Sequence, residues 1–363
     1  MFYCLRRDRL VVLLSRLFLV TAAALVGCAS TPTHRAPITD TTAAGDRAKS
    51  VSATASRQAP ADHVIARNNR FVIYVPAANE TFTSIAGRIL DDPARAWVIA
   101  DFNDISEPKA GQPLVVPLQS SNPTGVFPNG YQTVPILCYH RFGSDEGKMV
   151  VSPKAFAQQM EFLKQNGFRP VRLTDLSGFL QGKRALPKRA VVITMDDGYA
   201  SMYQHAYPVL KQYAFPTTVF VYTDFIGAKD ALTWGQMQEM VASGLVDVQA
   251  HSKTHSSLAV RLPGESDARY RQRMDTETAT PREVLQHKLH VQISSFAYPY
   301  GDTNNIVMEQ LVRADYKMAL TVDPGGNAFF TPSLLLRRTM ILGDQDLDSF
   351  KARLQVFTTV DLR

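Results

Sequence analysis

The chain has 363 residues, a formal net charge of +6 and three cysteines. The basic residues form no cluster with interleaved aromatic side chains, so we expect no nucleic-acid partner. Of the cysteines, Cys4 and Cys28 fall in the leading segment and Cys138 lies in a strand-like run, so no disulfide framework is available.

Residues 1–27 have the features of an export signal. Several arginines precede an apolar run at residues 17–27 that is too short to span a bilayer as a stable anchor. The run ends in Leu25-Val26-Gly27-Cys28, which resembles a bacterial lipobox and implies a lipoprotein attached to a membrane through lipid on Cys28. Ala29 then favours an outer-membrane location facing the periplasm. An uncleaved anchor or a simple signal peptide are the alternatives, and either one exports the protein.

Residues 28–68 are rich in Ala, Thr, Ser and charged side chains, which predicts a flexible linker. Residues 69–120 have a different pattern, which predicts a small α+β module. Its predicted elements are a strand at 71–75, helices at 81–88 and 97–103, and a strand at 111–117.

This strand-helix-helix-strand order, with Asn103 and the run Gly111-x-Pro113-Leu114-x-x-Pro117, resembles a LysM domain. The resemblance implies a module that binds glycans containing N-acetylglucosamine. Asn79-Glu80-Thr81-Phe82 departs from that family, which usually has Gly-Asp-Thr-Leu there. A small packing domain without a ligand is the alternative.

Residues 121–363 alternate apolar strand-like runs with helical patterns, which predicts an α/β fold built as a parallel β/α barrel. The predicted strands lie near 134–139, 190–195, 217–222, 246–250, 293–297, 318–322 and 334–341. The predicted helices are 153–166, 200–213, 234–243, 269–289 and 304–314.

Two adjacent carboxylates, Asp196 and Asp197, follow the strand-like run 191–195. They repel each other unless a cation lies nearby. Because side chains alternate along an extended strand, the two point in different directions, so one can bind a metal while the other handles protons. A simple Asp-Asp-Gly turn is the alternative.

His251 and His255 stand four residues apart after another strand-like run. This spacing lets two imidazoles reach one ion, and with Asp197 they supply three ligands. Three protein ligands leave a position open for water, which is the pattern of catalytic rather than structural zinc. A solvated helix face is the alternative interpretation of the two histidines.

Three segments together resemble the polysaccharide deacetylases, the NodB-homology domain of carbohydrate esterase family 4. Thr194-Met195-Asp196-Asp197-Gly198 resembles the first motif of that family, and His251-Ser252-Lys253-Thr254-His255 is similar to the second. Phe296-Ala297-Tyr298-Pro299-Tyr300-Gly301 is similar to the third, which ends in Pro-Tyr-Gly. The resemblance implies a distorted, TIM-like barrel over residues 121–363.

The resemblance also implies a role for each matching residue. Asp196 would be the general base, and Asp197, His251 and His255 would hold a divalent metal. Zinc is the first expectation for this metal, with cobalt or nickel as alternatives. The backbone N–H of Tyr300 would stabilise the oxyanion. The implied reaction removes N-acetyl groups from a polysaccharide that contains N-acetylglucosamine, either peptidoglycan or an exopolysaccharide.

Two family residues are missing. Ala297 stands where the third motif usually has an arginine, and no histidine follows His290, so the usual Leu-x-His is absent. His140, after the first barrel strand, is our candidate for the general acid, because the first and last strands of a closed barrel are neighbours. Arg337 or Arg338 could replace the arginine.

Trp234 could stack on a sugar ring or pack in the core. Two other functions stay open at this point. One is a non-catalytic glycan-binding lipoprotein of the cell envelope, which the two missing residues would favour. The other is an esterase that acts on O-acetyl groups, since an alkoxide leaves more readily than an amide anion and needs no strong general acid.

Overall fold

The computed structural model describes residues 63–119, 122–144 and 147–362. The predicted signal peptide, Cys28 and the linker up to residue 62 lie outside these ranges. Within them, no helix is both long enough and apolar enough to cross a membrane.

The N-terminal module is a three-stranded antiparallel sheet in the order β1-β2-β3, with two helices. The elements are β1 (Val64–Arg67), β2 (Phe71–Tyr74), α1 (Phe82–Ile89), α2 (Ala96–Asn103) and β3 (Leu114–Pro117). The predicted strand-helix-helix-strand order is present, with one further strand ahead of it. Val72, Ile85 and Ile99 are fully buried in its core.

The predicted linker was wrong in its last residues. The predicted linker ends at residue 68, but Val64–Arg67 pairs with β2. The His63 ring nitrogen Nδ1 also lies 2.8 Å from the carbonyl oxygen of Val75. The side chains of β1 are largely exposed, so this edge strand lacks the apolar alternation that identifies a strand in a sequence. Main-chain pairing with β2 holds it in place.

A polar cluster explains one departure of the module from the LysM pattern. Glu80 accepts hydrogen bonds from the Tyr74 hydroxyl and the Ala77 N–H, each 2.8 Å long, and forms an ion pair with Arg88. Thr81 caps α1 by accepting a hydrogen bond from the Ser84 N–H. The segment Asn79-Glu80-Thr81 therefore fixes the turn into α1.

The second part of the chain contains the remaining strands and helices. Its strands are β4 (Val126–Phe127), β5 (Gly130–Gln132), β6 (Val134–Tyr139), β7 (Arg141–Phe142), β8 (Val150–Val151), β9 (Arg169–Pro170), β10 (Ala190–Met195), β11 (Thr217–Val221), β12 (Val246–Ala250), β13 (Ser295–Ala297), β14 (Met318–Leu320), β15 (Gly326–Asn327), β16 (Thr339–Met340) and β17 (Phe357–Thr359). Its helices are α3 (Pro153–Gln165), α4 (Leu173–Leu180), α5 (Tyr207–Tyr213), α6 (Trp234–Ala242), α7 (Asp267–Leu289), α8 (Asn305–Arg313) and α9 (Leu347–Ala352).

The central sheet is parallel in the order β14-β13-β12-β11-β10-β6, with β15 added antiparallel to β6. Its two ends are joined by the segment that carries β16. Leu336 bridges Leu320 at the end of β14, and Thr339 and Met340 pair in parallel with β6. This confirms the predicted distorted barrel, in which the first and last strands are neighbours.

Several details of the barrel differ from the prediction, and two of them affect its core and its closure. The last predicted strand, 334–341, is regular only at Thr339–Met340, because its earlier part bends to bridge β14 before reaching β6. Helix α4 was not predicted; Leu173, Leu176 and Phe179 bury its apolar face against the sheet.

The module contacts the barrel through α2. The Asp101 carboxylate accepts a 2.8 Å hydrogen bond from the Lys188 N–H, and the Lys188 ammonium donates to the Asp101 carbonyl at 2.7 Å. Lys188 lies just before β10, so this contact is at the amino end of that strand. The predicted site residues follow the carboxyl ends of the strands.

Candidate active site

Four predicted site residues follow directly on strand ends. His140 follows β6, Asp196 and Asp197 follow β10, and His251 follows β12. Because these strands are parallel and lie in one sheet, their carboxyl ends meet at one rim, where active sites of β/α barrels are found. The Asp196 N–H donates to the Tyr139 carbonyl at 2.9 Å, which ties the rim together at β6 and β10.

Asp197, His251 and His255 form a compact group. The Nε2 atoms of His251 and His255 lie 3.4 and 3.1 Å from Oδ1 of Asp197. Nδ1 of His251 lies 2.7 Å from the carbonyl oxygen of Ala297. A carbonyl oxygen only accepts hydrogen bonds, so Nδ1 carries the proton and Nε2 of the neutral ring presents a lone pair to Asp197.

These residues fit a divalent cation. Oδ1 of Asp197 is buried and has no hydrogen-bond partner in the structure, although it faces the Nε2 atoms of both histidines. A carboxylate oxygen and an imidazole lone pair at such a distance repel each other unless a cation lies between them. One carboxylate with two imidazoles is a donor set found at catalytic zinc sites.

The loops that carry the site have unusual backbone conformations. Asp197, Ser252, His255 and Tyr300 all have positive φ angles, between 61° and 74°. Non-glycine residues rarely adopt this left-handed region and persist there only where the surrounding contacts impose it. The four residues come from three different loops of the rim.

Asp196 forms a buried ion pair with Arg338. The two guanidinium NH groups donate to the two carboxylate oxygens, each over 2.6 Å, and the exposed fractions of the two residues are 0% for Arg338 and 1% for Asp196. Arg338 also donates through Nε to the Thr321 carbonyl at 2.8 Å. Arg338, rather than the exposed Arg337, thus stands where the arginine missing at Ala297 would be needed.

This pair decides the charge of Asp196. Burial alone would raise the pKa of the carboxyl group, but the Arg338 guanidinium lowers it, and the net pKa lies below the usual value. Asp196 is therefore a carboxylate at neutral pH. Its Oδ2 also lies 3.9 Å from Nε2 of His251, so the ionised oxygen is next to the group formed by Asp197, His251 and His255.

His140 and Cys138 also lie close to Asp196. One ligand atom from each of these three residues lies within 4.8 Å of the others. Burial raises the pKa of Cys138 well above its ordinary value, so the thiol stays protonated and donates to Oδ2 of Asp196 over 3.6 Å. Nδ1 of His140 is buried without a hydrogen-bond partner in the structure.

Tyr300 lies beside His255. Its ring centroid is 4.8 Å from that of His255 in an edge-on arrangement, and its side chain is largely exposed. Gly301 has φ +78°, and a Cβ atom there would come within 2.7 Å of the Val322 backbone nitrogen. The Pro-Tyr-Gly turn therefore requires its glycine in order to pack against the end of β14.

Trp234 begins helix α6 and is half-buried against the main core of the barrel. The preceding loop contacts the Asp-Asp-Gly segment, since the Leu232 N–H donates to the Gly198 carbonyl at 2.8 Å. The tryptophan thus lies at the same end of the barrel as the rim. Its role as a sugar-stacking residue stays a prediction.

Comparison with known proteins agrees with this geometry. Residues 183–319 match the model of the polysaccharide deacetylase family. A polysaccharide deacetylase of Bacillus subtilis, YxkH, is 32% identical over 192 residues, which cover 53% of this chain and 65% of that protein. The poly-β-1,6-N-acetyl-D-glucosamine N-deacetylase of Escherichia coli K12 is 27% identical over 242 residues, which cover 57% of this chain and 36% of that protein.

Solved structures show the same fold. The Streptococcus pyogenes deacetylase PplD superimposes with a TM-score of 0.56 and 25% identity, over 62% of this chain and 99% of that one. IcaB from Ammonifex degensii superimposes with a TM-score of 0.55 and 28% identity, again over 62% and 99% of the two chains. The chain therefore contains a polysaccharide deacetylase domain of the NodB-homology type, to which the family model assigns residues 183–319.

Proposed function

We propose that the protein is a metal-dependent hydrolase that removes N-acetyl groups from a polysaccharide containing N-acetylglucosamine. The observation that carries this proposal is the placement of an ionised, arginine-paired Asp196 directly beside the ligand group of Asp197, His251 and His255. A general base next to a metal site with an open position is the arrangement that metal-assisted hydrolysis needs.

The metal is the first element of the proposal. Asp197, His251 and His255 would hold it, and their one oxygen and two nitrogen donors favour zinc, with cobalt and nickel as alternatives. When bound, such an ion lowers the pKa of a water molecule and polarises the acetyl carbonyl. The Ala297 carbonyl fixes the tautomer of His251 and so directs its lone pair toward this position.

Asp196 removes the proton from the attacking water. Arg338 keeps the carboxylate ionised. It also donates a hydrogen bond to each of the two carboxylate oxygens, which prevents the carboxylate from rotating. A carboxylate of lowered pKa is a weak base. Proton transfer from water to Asp196 therefore requires that the pKa of the water is also lowered in the site. The Cys138 thiol adds a further weak donor to Oδ2.

His140 delivers a proton to the leaving nitrogen. Burial lowers the pKa of this imidazole, whereas the carboxylates of Asp196 and Asp197 raise it. The net result is a pKa below the ordinary value of histidine. Negative charge that develops on the substrate beside the ring favours the protonated form, which is the form that donates. In the preceding step, the attack on the acetyl carbonyl, the backbone N–H of Tyr300 would donate a hydrogen bond to the oxyanion.

The comparisons and the module support the choice of substrate class. One relative is the poly-β-1,6-N-acetyl-D-glucosamine N-deacetylase of Escherichia coli K12, so a β-1,6-linked exopolysaccharide is the first substrate to test. Peptidoglycan is the second, because the N-terminal module resembles LysM. Trp234 would stack on a sugar ring near the rim.

We also propose that the protein acts in the cell envelope after export. Cys28 would carry lipid that attaches the chain to a membrane, and an outer-membrane position facing the periplasm agrees with Ala29. The module at residues 63–117 would bind glycan there. Metabolic labelling with a fatty-acid analogue tests the attachment, and loss of the label in a Cys28→Ala variant is the expected result.

The decisive experiment measures acetate release with and without a chelator. The panel contains β-1,6-linked N-acetylglucosamine oligomers, peptidoglycan, chitin oligomers and an O-acetylated glycan. Release from an N-acetylated substrate that stops with chelator is expected. Release from the O-acetylated glycan alone would identify an esterase, and no release from any substrate would favour a glycan-binding protein.

A further inference from the structure

We infer that Glu277, on the long helix α7, is a positioning residue that holds the loop Lys253–His255 in the conformation required for metal binding. The inference rests on the proposed function, because it concerns the metal site of that reaction. Glu277 follows none of the strand ends that form the rim, and it reaches the site only through the loop.

The contacts of Glu277 all go to this loop. Its Oε2 accepts hydrogen bonds from the N–H groups of Lys253 and Thr254, over 3.0 and 2.9 Å. Its Oε1 accepts a hydrogen bond from the Thr254 hydroxyl over 2.8 Å. Only 4% of Glu277 is exposed, so the carboxylate depends on these donors in place of water.

The loop needs such a restraint. Ser252 and His255 have φ angles of 71° and 61°, in the region that non-glycine residues avoid. Hydrogen bonds to an ionised acceptor are about twice as strong as neutral ones. By fixing two successive N–H groups, Glu277 offsets part of the cost of this conformation and brings Nε2 of His255 to 3.1 Å from Asp197.

The two histidine ligands differ in how they are held. His251 continues β12, its N–H donates to the Val221 carbonyl at 2.9 Å, and its ring is bonded to Ala297. The His255 N–H donates to the Ser252 hydroxyl at 2.9 Å, a contact within the loop itself. Lys253 also forms an exposed ion pair with Asp224, and the rings of Tyr222 and Tyr300 lie beside the His255 ring. Loss of Glu277 should therefore release His255 and leave His251 in place.

The test compares Glu277→Gln with Glu283→Gln, an exposed glutamate of the same helix. Zn²⁺ affinity of the metal-free proteins is measured by competition with a chromogenic chelator. We expect Glu277→Gln to bind Zn²⁺ about 10- to 100-fold more weakly than wild type, in the range reported for removing a group that orients a metal ligand. Glu283→Gln should bind as wild type does.

A second readout separates positioning from direct catalysis. If Glu277 acts through His255, saturating Zn²⁺ should bring the kcat of Glu277→Gln most of the way back toward wild type. Wild-type affinity in Glu277→Gln, or a kcat that stays low at saturating Zn²⁺, would overturn the inference. If Glu277→Gln fails to fold, Thr254→Val removes one of the three hydrogen bonds, and a smaller loss of affinity is expected; an unchanged affinity in that variant would likewise overturn it.

The two proposals fail in different ways. A wild-type protein that binds no divalent ion overturns the proposed function and this inference together. A wild-type protein that binds Zn²⁺ and releases acetate, beside a Glu277→Gln variant with the same affinity, overturns the inference alone.

Discussion

Arg338 and Asp196 form a bidentate ion pair inside the closed barrel, with both N···O distances at 2.6 Å. They stand 142 residues apart in the chain. The contact exists because the segment containing Leu336 and Thr339 joins the two ends of the sheet. The same segment thus closes the barrel and supplies the charge that keeps the proposed base ionised.

The first prediction concerns this pair. Arg338→Met should lower the free energy of unfolding by about 3–5 kcal/mol, because it leaves a buried carboxylate without its partner. Chemical denaturation measures the change, and Arg337→Met is the matched control since that neighbour is exposed. The double variant Asp196→Asn with Arg338→Met should be more stable than Arg338→Met alone. Equal stability of the two arginine variants would contradict the prediction.

The second prediction separates the two adjacent carboxylates. Asp197→Ala should lose bound metal and activity together, because Oδ1 of Asp197 faces both histidines. Asp196→Asn should keep its metal content and lose turnover, because its oxygens bind Arg338. Metal analysis of the purified variants, alongside acetate release, checks both results. Loss of metal in Asp196→Asn would reverse the two roles.

The third prediction concerns His140. His140→Ala should lower turnover on an N-acetyl substrate by about 10²- to 10⁴-fold with metal content unchanged, the usual contribution of a general acid. The loss should be smaller on an O-acetyl substrate, whose leaving group needs less protonation. Equal losses on the two substrates would show that His140 does not protonate the leaving group. Unimpaired turnover on the amide would place the proton donor elsewhere.

The fourth prediction concerns metal removal. Chelation should abolish acetate release and lower the melting temperature, because a ligand that binds the folded state alone stabilises it. At about 100-fold excess of metal over its Kd, the difference should be roughly 5–10 °C for a domain of this size. Differential scanning calorimetry on the metal-free and reloaded protein measures it. In Asp197→Ala the same addition of metal should leave the melting temperature unchanged.

Much of the site was predictable because its residues follow strand ends. Asp196, Asp197 and His251 each follow a strand-like run, and the alternation of strands and helices brings such positions to one rim. His140 followed from the same reasoning at β6, and the structure places it next to Asp196. Their catalytic and metal-binding roles stay predictions for the experiments above.

Other features depend on contacts that no local pattern contains. The sequence does not show which of Arg337 and Arg338 pairs with Asp196, because only the path of the closing segment decides which side chain points inward. Glu277 was missed, although it lies three residues after Met274 and four before Pro281, on the buried face of α7. A charged residue on an apolar helical stripe is a signal that a buried partner exists, but it does not identify the partner.

The barrel closure also sets an order of events for the growing chain. Synthesis proceeds from the N-terminus, so Asp197, His251 and His255 are all made before Leu336, Arg338 and Thr339. An incomplete chain can therefore contain all three proposed metal ligands and still lack the counter-charge of Asp196. The proposed catalytic carboxylate reaches its final environment only when the closing segment pairs with β6, which makes a competent active site a late product of folding.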